Sequence, residues 1–394
     1  MSITEREKAV TFASVLANAI YANRDVLYAI QPPGGFAHRV EQKNALVLEL
    51  APILLNSAVT GVFVYGNPGT GKTALVQDLL QELQQEAAKR VVKLQSVYVN
   101  CSENRTETAI LLEVLNQLKP EQKYPRMGWN RAKAVDEFQR IVQAHVGQVL
   151  VVLDEIDYVL KESGDDILYR LTRIKGKRLS TITISNDVRV SDYLKPRTQS
   201  VFGRVKIIFS PYSSEELFDI MRDRVKLAFK SGVVSDAVLR KIAELEAQKN
   251  GDARQALELL DSCGKIALSE KRDRITLDLV EHAEAQLEKD HLLNIIVSLP
   301  RHQKLVYLSI LKNQKEVLAG GDIYKLYVEI CESYNQKPLS ERRIRSFLIN
   351  LTELGLLESE VGWLSDTQRK ARKVEIPIDA AVRQKAIKML RDSI

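Results

Sequence analysis

The stretch Gly66-Asn67-Pro68-Gly69-Thr70-Gly71-Lys72-Thr73 constrains this chain more than anything else in it. It follows the strand-like run Val62 to Tyr65 and opens the helix-forming run Ala74 to Leu80. Glycines at that spacing let consecutive backbone amides face one anion, and the helix N-terminus behind them adds its dipole. This is a full Walker A loop in the strand-loop-helix context that its mechanism requires. Residues Gly66 through Ala74 are expected to cradle the phosphates of ATP or ADP. Lys72 would neutralise the β- and γ-phosphates, and the Thr73 hydroxyl would ligate Mg2+.

A second apolar run, Val149 to Leu153, ends in Asp154-Glu155. A buried strand that delivers two carboxylates at its C-terminal end places them where open α/β sheets bind ligands. It reads as a Walker B strand: Asp154 would hold the Mg2+ through water, and Glu155 would polarise the attacking water. Further short apolar runs, Gly61 to Tyr65, Ser96 to Asn100, Thr181 to Ser185 and Val205 to Phe209, alternate with helical stretches. That alternation predicts an α/β fold, a parallel sheet with helices on both faces.

At 394 residues the chain is too long for one core and has room for two or three domains. From residue 1 to about 60 the pattern is helical, interrupted by a loop at Pro32-Pro33-Gly34-Gly35. After Pro211 the strands stop, and helices continue to about Asp290 from a capping box in which Ser213 precedes Glu216 by three residues. Three or four helices and a strand pair, Leu356 to Trp363 and Arg372 to Ile378, form a last unit. The expected division is 1–210 for the nucleotide-binding domain, 211–290 for an all-helical lid and 291–394 for a third domain.

Cys101, Cys263 and Cys331 lie far apart with no Cys/His cluster, which argues against a zinc site or a disulfide framework and fits a reducing cytoplasm. The start, MSITEREKAV, is charged where a signal peptide is apolar, so neither export nor a membrane span is expected. The net charge of +6 is unevenly placed. Residues 292–394 hold 17 Lys+Arg against 12 Asp+Glu, leaving 40 against 39 in the first 291. A polyanionic partner is therefore expected at the C-terminal end.

Glu155 directly after Asp154, and Ser185-Asn186 closing the next strand, resemble the AAA+ branch of P-loop ATPases, whose polar sensor residue would here be Asn186. Gly251-Asp252-Ala253-Arg254 is similar to that branch's second sensor, which makes Arg254 the lid arginine that reaches the γ-phosphate. An arginine near a helix N-terminus opposes the macrodipole, so an anionic neighbour is expected beside it. Taken without the resemblance, the two are a strand-end asparagine and a solvated arginine.

His38-Arg39 before the first strand, and Phe209-Ser210-Pro211-Tyr212 with Arg224 twelve residues on, narrow the resemblance to archaeal initiators of the origin-recognition-complex and cell-division-control helicase-loader family. That resemblance covers essentially the whole chain. It implies that His38 and Arg39 lie beside the adenine, that Tyr212 packs against it and that Arg224 reaches the phosphates. From residue type alone, Tyr212 and Arg224 serve equally as hinge packing and a surface charge. The segment Gly164 to Ile174 resembles the additional helix by which initiators contact duplex DNA. There Ile167, Leu171 and Ile174 fall on one face and leave Arg170 and Arg173, with Lys175, Lys177 and Arg178 nearby, for phosphates. A solvated basic helix is the other reading. Val201 stands where eukaryotic relatives can place a trans-acting arginine, so a slow-turnover monomer or loose oligomer is expected rather than a ring motor.

The last unit resembles a winged-helix domain. From Ser340, the residues Ile344, Phe347, Leu348 and Leu351 make one buried stripe, with Arg342 opposite it and Arg343 and Arg345 on its flanks. This is the candidate recognition helix, with Ser340 as its N-cap. Arg369, Lys370, Arg372 and Lys373 sit between the two short strands and read as a basic wing, although Ala371 stands where the family often has glycine. Taken together, the resemblance implies an initiator that binds double-stranded origin DNA and recruits the replicative minichromosome maintenance helicase. Other initiator paralogues would be partners on DNA, ATP would act as a slow switch, and the location would be cytoplasmic at the nucleoid. The competing reading is a signal-transduction ATPase with a winged-helix tail, a transcriptional or defence regulator.

Overall fold

A computed structural model describes residues 19–59, 61–174, 178–202, 205–313, 318–363 and 370–394, with backbone only at 319–320, 360–363 and 370–373. The chain divides into two compact units, Met1–Val280 and Glu281–Ile394.

The first unit is built on a five-stranded sheet of β1 (Val62–Gly66), β2 (Leu94–Asn100), β3 (Gln148–Asp154), β4 (Leu179–Ser185) and β5 (Val205–Phe209). Its order is β2-β3-β4-β1-β5 and every pairing is parallel. β4 thus separates β1 from β3, so the end of the sensor strand lies between the Walker A and Walker B strands.

Alternation along the strands sorts the core. Val62, Val64, Leu150, Val152, Ile182 and Ile184 face α1 (Val40–Leu50) and α2 (Lys72–Lys89) on one side. Phe63, Val149, Val151 and Leu153 face α3 (Glu107–Leu118) and α4 (Arg131–Ala144) on the other. Helices do lie on both faces. Two short helices, α5 (Asp157–Ser163) and α6 (Asp166–Arg173), separate β3 from β4, and α7 (Pro196–Phe202) precedes β5.

The lid begins with α8 (Ser214–Ala228), where the Ser213–Glu216 capping box forms with both of its bonds, followed by α9 (Asp236–Lys249) and α10 (Ala253–Ser269). Of the expected N-terminal helix, residues 1–18 lie outside the described residues, and the part that is described, up to the loop at 32–35, departs from the helical pattern. Residues 20–39 hold only 3-10 turns at Arg24–Leu27 and Ala37–Arg39. Tyr21 pairs with Phe229 in an isolated antiparallel bridge, and the Lys230 amide donates to the Ile20 carbonyl at 2.9 Å. Its backbone bonds are made to the lid, so it has no need of a helix of its own.

α11 (Leu277–Ser298) carries the chain into the second unit. There α12 (Arg301–Lys312), α13 (Gly320–Ser333) and α14 (Glu341–Glu353) pack with an antiparallel sheet ordered β6-β8-β7, in which β6 is Leu318–Ala319, β7 Glu358–Trp363 and β8 Lys370–Glu375. Ile344, Leu348 and Leu351 are buried as the stripe predicts, while Phe347 packs at the core edge. Ser340 occupies the N-cap position, but its side chain makes no cap bond. The strand pair is not the end of the fold: α15 (Ala380–Ser393) follows and returns Val382, Ala386 and Leu390 to the core. Among the described residues no helix is long and apolar enough to cross a membrane.

Candidate nucleotide site and nucleic-acid interface

The loop after β1 has the left-handed glycines that an amide cradle requires. Gly69 has φ 68° and Gly71 φ 89°, and a Cβ on Gly69 would collide with the Asp252 carboxylate. Lys72 folds back over Pro68-Gly69, its Nζ donating to the carbonyls of Gly66 (2.9 Å) and Asn67 (2.7 Å), and the Thr70 hydroxyl donates to the Asn67 carbonyl at 2.8 Å. Burial pushes the Lys72 ammonium down to about 8; Asp154 offsets part of that, and Arg254 adds to it.

Thr73 Oγ1 donates to Asp154 Oδ2 at 2.8 Å, and the Glu155 amide donates to Asp154 Oδ1 at 2.8 Å. A hydroxyl touching a carboxylate is the hard-oxygen pair that suits Mg2+, which keeps several of its own waters. Glu155 itself has φ 54°, a left-handed conformation that costs a non-glycine residue roughly 1 kcal/mol or more. Asn186 is anchored by its backbone: its amide and the Ser185 hydroxyl both donate to Asp157 Oδ1 at 3.1 Å. Hydrogen bonds thus tie Thr73, Asp154 and the Glu155 amide together, while Asn186 is held to Asp157 at the end of the neighbouring strand. Asp157 and Tyr98, whose hydroxyl also reaches Asp154, were not picked out by any motif.

A cavity of about 630 Å3 opens over the Walker A loop. Gly69, Gly71, Thr73 and Ala74 lie beneath it, residues 27–39 wall one side, and Tyr212, Arg224, Arg254 and Leu257 close the lid side. Arg39 is buried between the halves. Its Nε donates to the Thr70 carbonyl (3.0 Å), its Nη2 to the Ser210 carbonyl (2.7 Å), and its guanidinium lies 3.8 Å from the Tyr212 ring centroid. It thus straps the Walker A loop to the hinge. His38 pairs with Asp219 at 3.3 Å. Arg224 lines the cavity but spends Nη1 on the Val26 carbonyl at 2.5 Å, and burial lowers the pKa of its guanidinium.

Arg254 has the anionic neighbour its position calls for. Asp252 caps α10 by accepting from the amides of Arg254 (2.7 Å) and Gln255 (3.3 Å). Two turns along α10, the fully buried Asp261 accepts from the Tyr21 hydroxyl (2.9 Å), Arg24 Nε (2.7 Å) and the Tyr28 hydroxyl (2.5 Å), and pairs with Lys265 at 2.8 Å. Burial alone would raise this carboxyl, but those donors outweigh it and hold it far below the usual range. The helix bearing Arg254 is thereby pinned to the segment that walls the cavity.

On α6, Ile167 and Leu171 are buried as predicted and Ile174 packs beside them. Arg170 is not free: its Nε pairs with Glu107 Oε1 at 2.6 Å, and Arg131 pairs with the same glutamate. Arg173 lies 5.0 Å from the Tyr169 ring centroid. Arg197 of α7 stacks on the same ring at 4.5 Å and pairs with Asp166 at 2.8 Å. Lys175 lies outside the described residues. In the second unit Arg342, Arg343 and Arg345 are all exposed on α14; Arg345 pairs with Glu341 at 2.8 Å and Arg343 lies over Phe347. On β8, Lys370, Arg372 and Lys373 stand opposite Trp363, Val361 and Glu360, while Arg369 lies outside the described residues.

Sequence profiles match in three places: an AAA domain over 59–187, a Cdc6 AAA+ ATPase-type lid domain over 218–285, and a CDC6 C-terminal winged helix domain over 294–386. An ORC1-type DNA replication protein 1 of Sulfolobus acidocaldarius is 38% identical over 348 residues, 87% of this chain and 86% of that one. The chain belongs to the family of ORC1-type DNA replication proteins. The ORC1-type protein of Thermococcus onnurineus is 36% identical over 354 residues, 88% of this chain and 85% of that one. Among solved structures, the Aeropyrum pernix ORC1 protein in complex with DNA superimposes with a TM-score of 0.80 at 30% identity, over 94% of this chain and 97% of that one. This ORC1-type chain is thus an AAA+ ATPase-fold replication protein with a C-terminal winged helix.

Proposed function

We propose that this chain is an ATP-controlled replication initiator that binds duplex origin DNA and helps recruit the replicative minichromosome maintenance helicase, alongside initiator paralogues on the same DNA. The tasks divide at about residues 210 and 290. In this reading Lys72 and the amides of 66–74 hold the phosphates, Tyr212, His38 and Arg39 flank the base, and Arg224 stiffens the wall behind it. Thr73 and Asp154 hold Mg2+, which supplies charge neutralisation at the phosphates. Glu155 polarises water, while Asn186 and Arg254 report the γ-phosphate to the lid.

Hydrolysis is proposed to be slow. The arginine nearest the family's finger segment, Arg197, is already engaged by Asp166 and Tyr169 within its own subunit.

The observation that carries the DNA assignment is the row of exposed arginines on α14, within residues 292–394, which carry +5 of the chain's net +6. Its similarity to the DNA-bound Aeropyrum ORC1 supports the same reading. Arg170 would contribute by its exposed edge, Arg173 and Lys175 by direct phosphate contact, and Arg369, Lys370, Arg372 and Lys373 through the wing. Titrations of duplex over a salt series test this. Arg343→Ala is expected to weaken binding about tenfold and to reduce the slope of log affinity against log salt by about one. An unchanged slope and affinity would remove α14 from the interface.

A further inference from the structure

The geometry points to Tyr98 as a positioning residue that fixes the Asp154 carboxylate for Mg2+, itself set in place by the side-chain amide of Gln117. The inference rests on the proposed Mg2+ role of Asp154 and deepens it.

Among the described residues, strand β2 is the edge of the sheet, with β3 as its only strand neighbour. An edge strand leaves backbone groups unpaired, and here a side chain fills the gap. Gln117 of α3 accepts from the Tyr98 amide through Oε1 at 3.1 Å and donates from Nε2 to the Tyr98 carbonyl at 2.8 Å. One glutamine thus brackets both polar groups of one peptide position, as a further strand would. On the other side Tyr98 is paired with Val152, two residues before Asp154. A tyrosine at that register can lean along the strand direction to the carboxylate. It does so: the Tyr98 hydroxyl donates to Asp154 Oδ2 at 2.5 Å.

Asp154 therefore takes three donors, Thr73 Oγ1 and Tyr98 on Oδ2 and the Glu155 amide on Oδ1. A carboxylate offers about four acceptor sites, so its rotation is arrested and the remaining direction is left for the ion's waters. Groups that orient a metal's ligands in this way typically contribute about tenfold or more to its binding. Nothing in the Walker motifs requires a tyrosine on the neighbouring strand.

The test compares affinity for a fluorescent N-methylanthraniloyl-ADP in Mg2+ with that in EDTA, and takes the ratio. Tyr98→Phe removes only the hydroxyl and is expected to lower the ratio about tenfold relative to the parent. Gln117→Leu is expected to lower it less, in the same direction. Asp154→Ala supplies the reference for a lost Mg2+ contribution. If Asp154→Ala collapses the ratio while Tyr98→Phe and Gln117→Leu match the parent, the positioning role is wrong and the Mg2+ reading stands. A parent ratio near one would overturn both. If Tyr98→Phe weakens binding equally in Mg2+ and EDTA, Tyr98 is a packing residue and the inference fails. Should Tyr98→Phe lose its far-ultraviolet circular dichroism, Gln117→Leu decides alone, and a parent-like ratio there refutes the inference.

Discussion

Replacing Lys72 with alanine is expected to raise the dissociation constant for ADP at least a hundredfold. The ammonium is buried beneath the loop and already bonds two of its carbonyls, Gly66 and Asn67. With nucleotide present those donors would turn to phosphate oxygens. Losing a charged donor costs about 1.5–3 kcal/mol for each hydrogen bond, and two such bonds convert to roughly a hundredfold or more in affinity. The substitution also frees the two carbonyls that the lysine holds, so the loop loses its internal tie. Isothermal titration with ADP measures the effect. Binding within threefold of the parent would show that the cradle does not hold phosphates.

Glu155→Gln is expected to separate binding from chemistry. The glutamine keeps the side-chain volume and meets the same left-handed backbone constraint, at φ 54°, that the glutamate already satisfies. Asp154 keeps its bond from the position-155 amide, because that donor belongs to the main chain. Nucleotide affinity should therefore stay within a few-fold, while removal of a general base lowers hydrolysis by about 10²- to 10⁴-fold. Single-turnover release of labelled phosphate from ATP measures the change. Equal rates in the parent and Glu155→Gln would end the assignment of Glu155 as base.

The features legible in the sequence follow a physical rule. The Walker A loop, the Asp154-Glu155 strand end and the stripe on α14 are short-range patterns, set by the geometry of one loop, strand or helix. Their side chains lie where those patterns place them. The strand boundaries were short by one to two residues at the start of β2, β3 and β4, where Leu94, Gln148 and Leu179 extend the pairing.

The features missed are long-range. Tyr21, Arg24 and Tyr28 meet Asp261 across more than 230 residues, and no local pattern marks a buried aspartate as their common acceptor. Those same contacts explain why residues 20–31 are not helical: their polar side chains and backbone are spent on the lid. Glu107 took Arg170 out of the set of free cations in the same way, through a carboxylate sixty-three residues earlier in the sequence. The tyrosine on Asp154 shows the limit most clearly, since its role depends on strand order and register, and neither is written in the motif.

Nucleotide state is proposed to control recognition of a particular duplex. This control is tested most directly by quantitative footprinting on a replication-origin duplex and on random duplex of equal length, each with ATP and with ADP, at one fixed salt concentration. A protected tract is expected on the origin, with a preference of about 10³-fold over random duplex. The midpoint or extent of protection is expected to differ between the two nucleotides. Equal protection of both duplexes, unaltered by nucleotide, would contradict it.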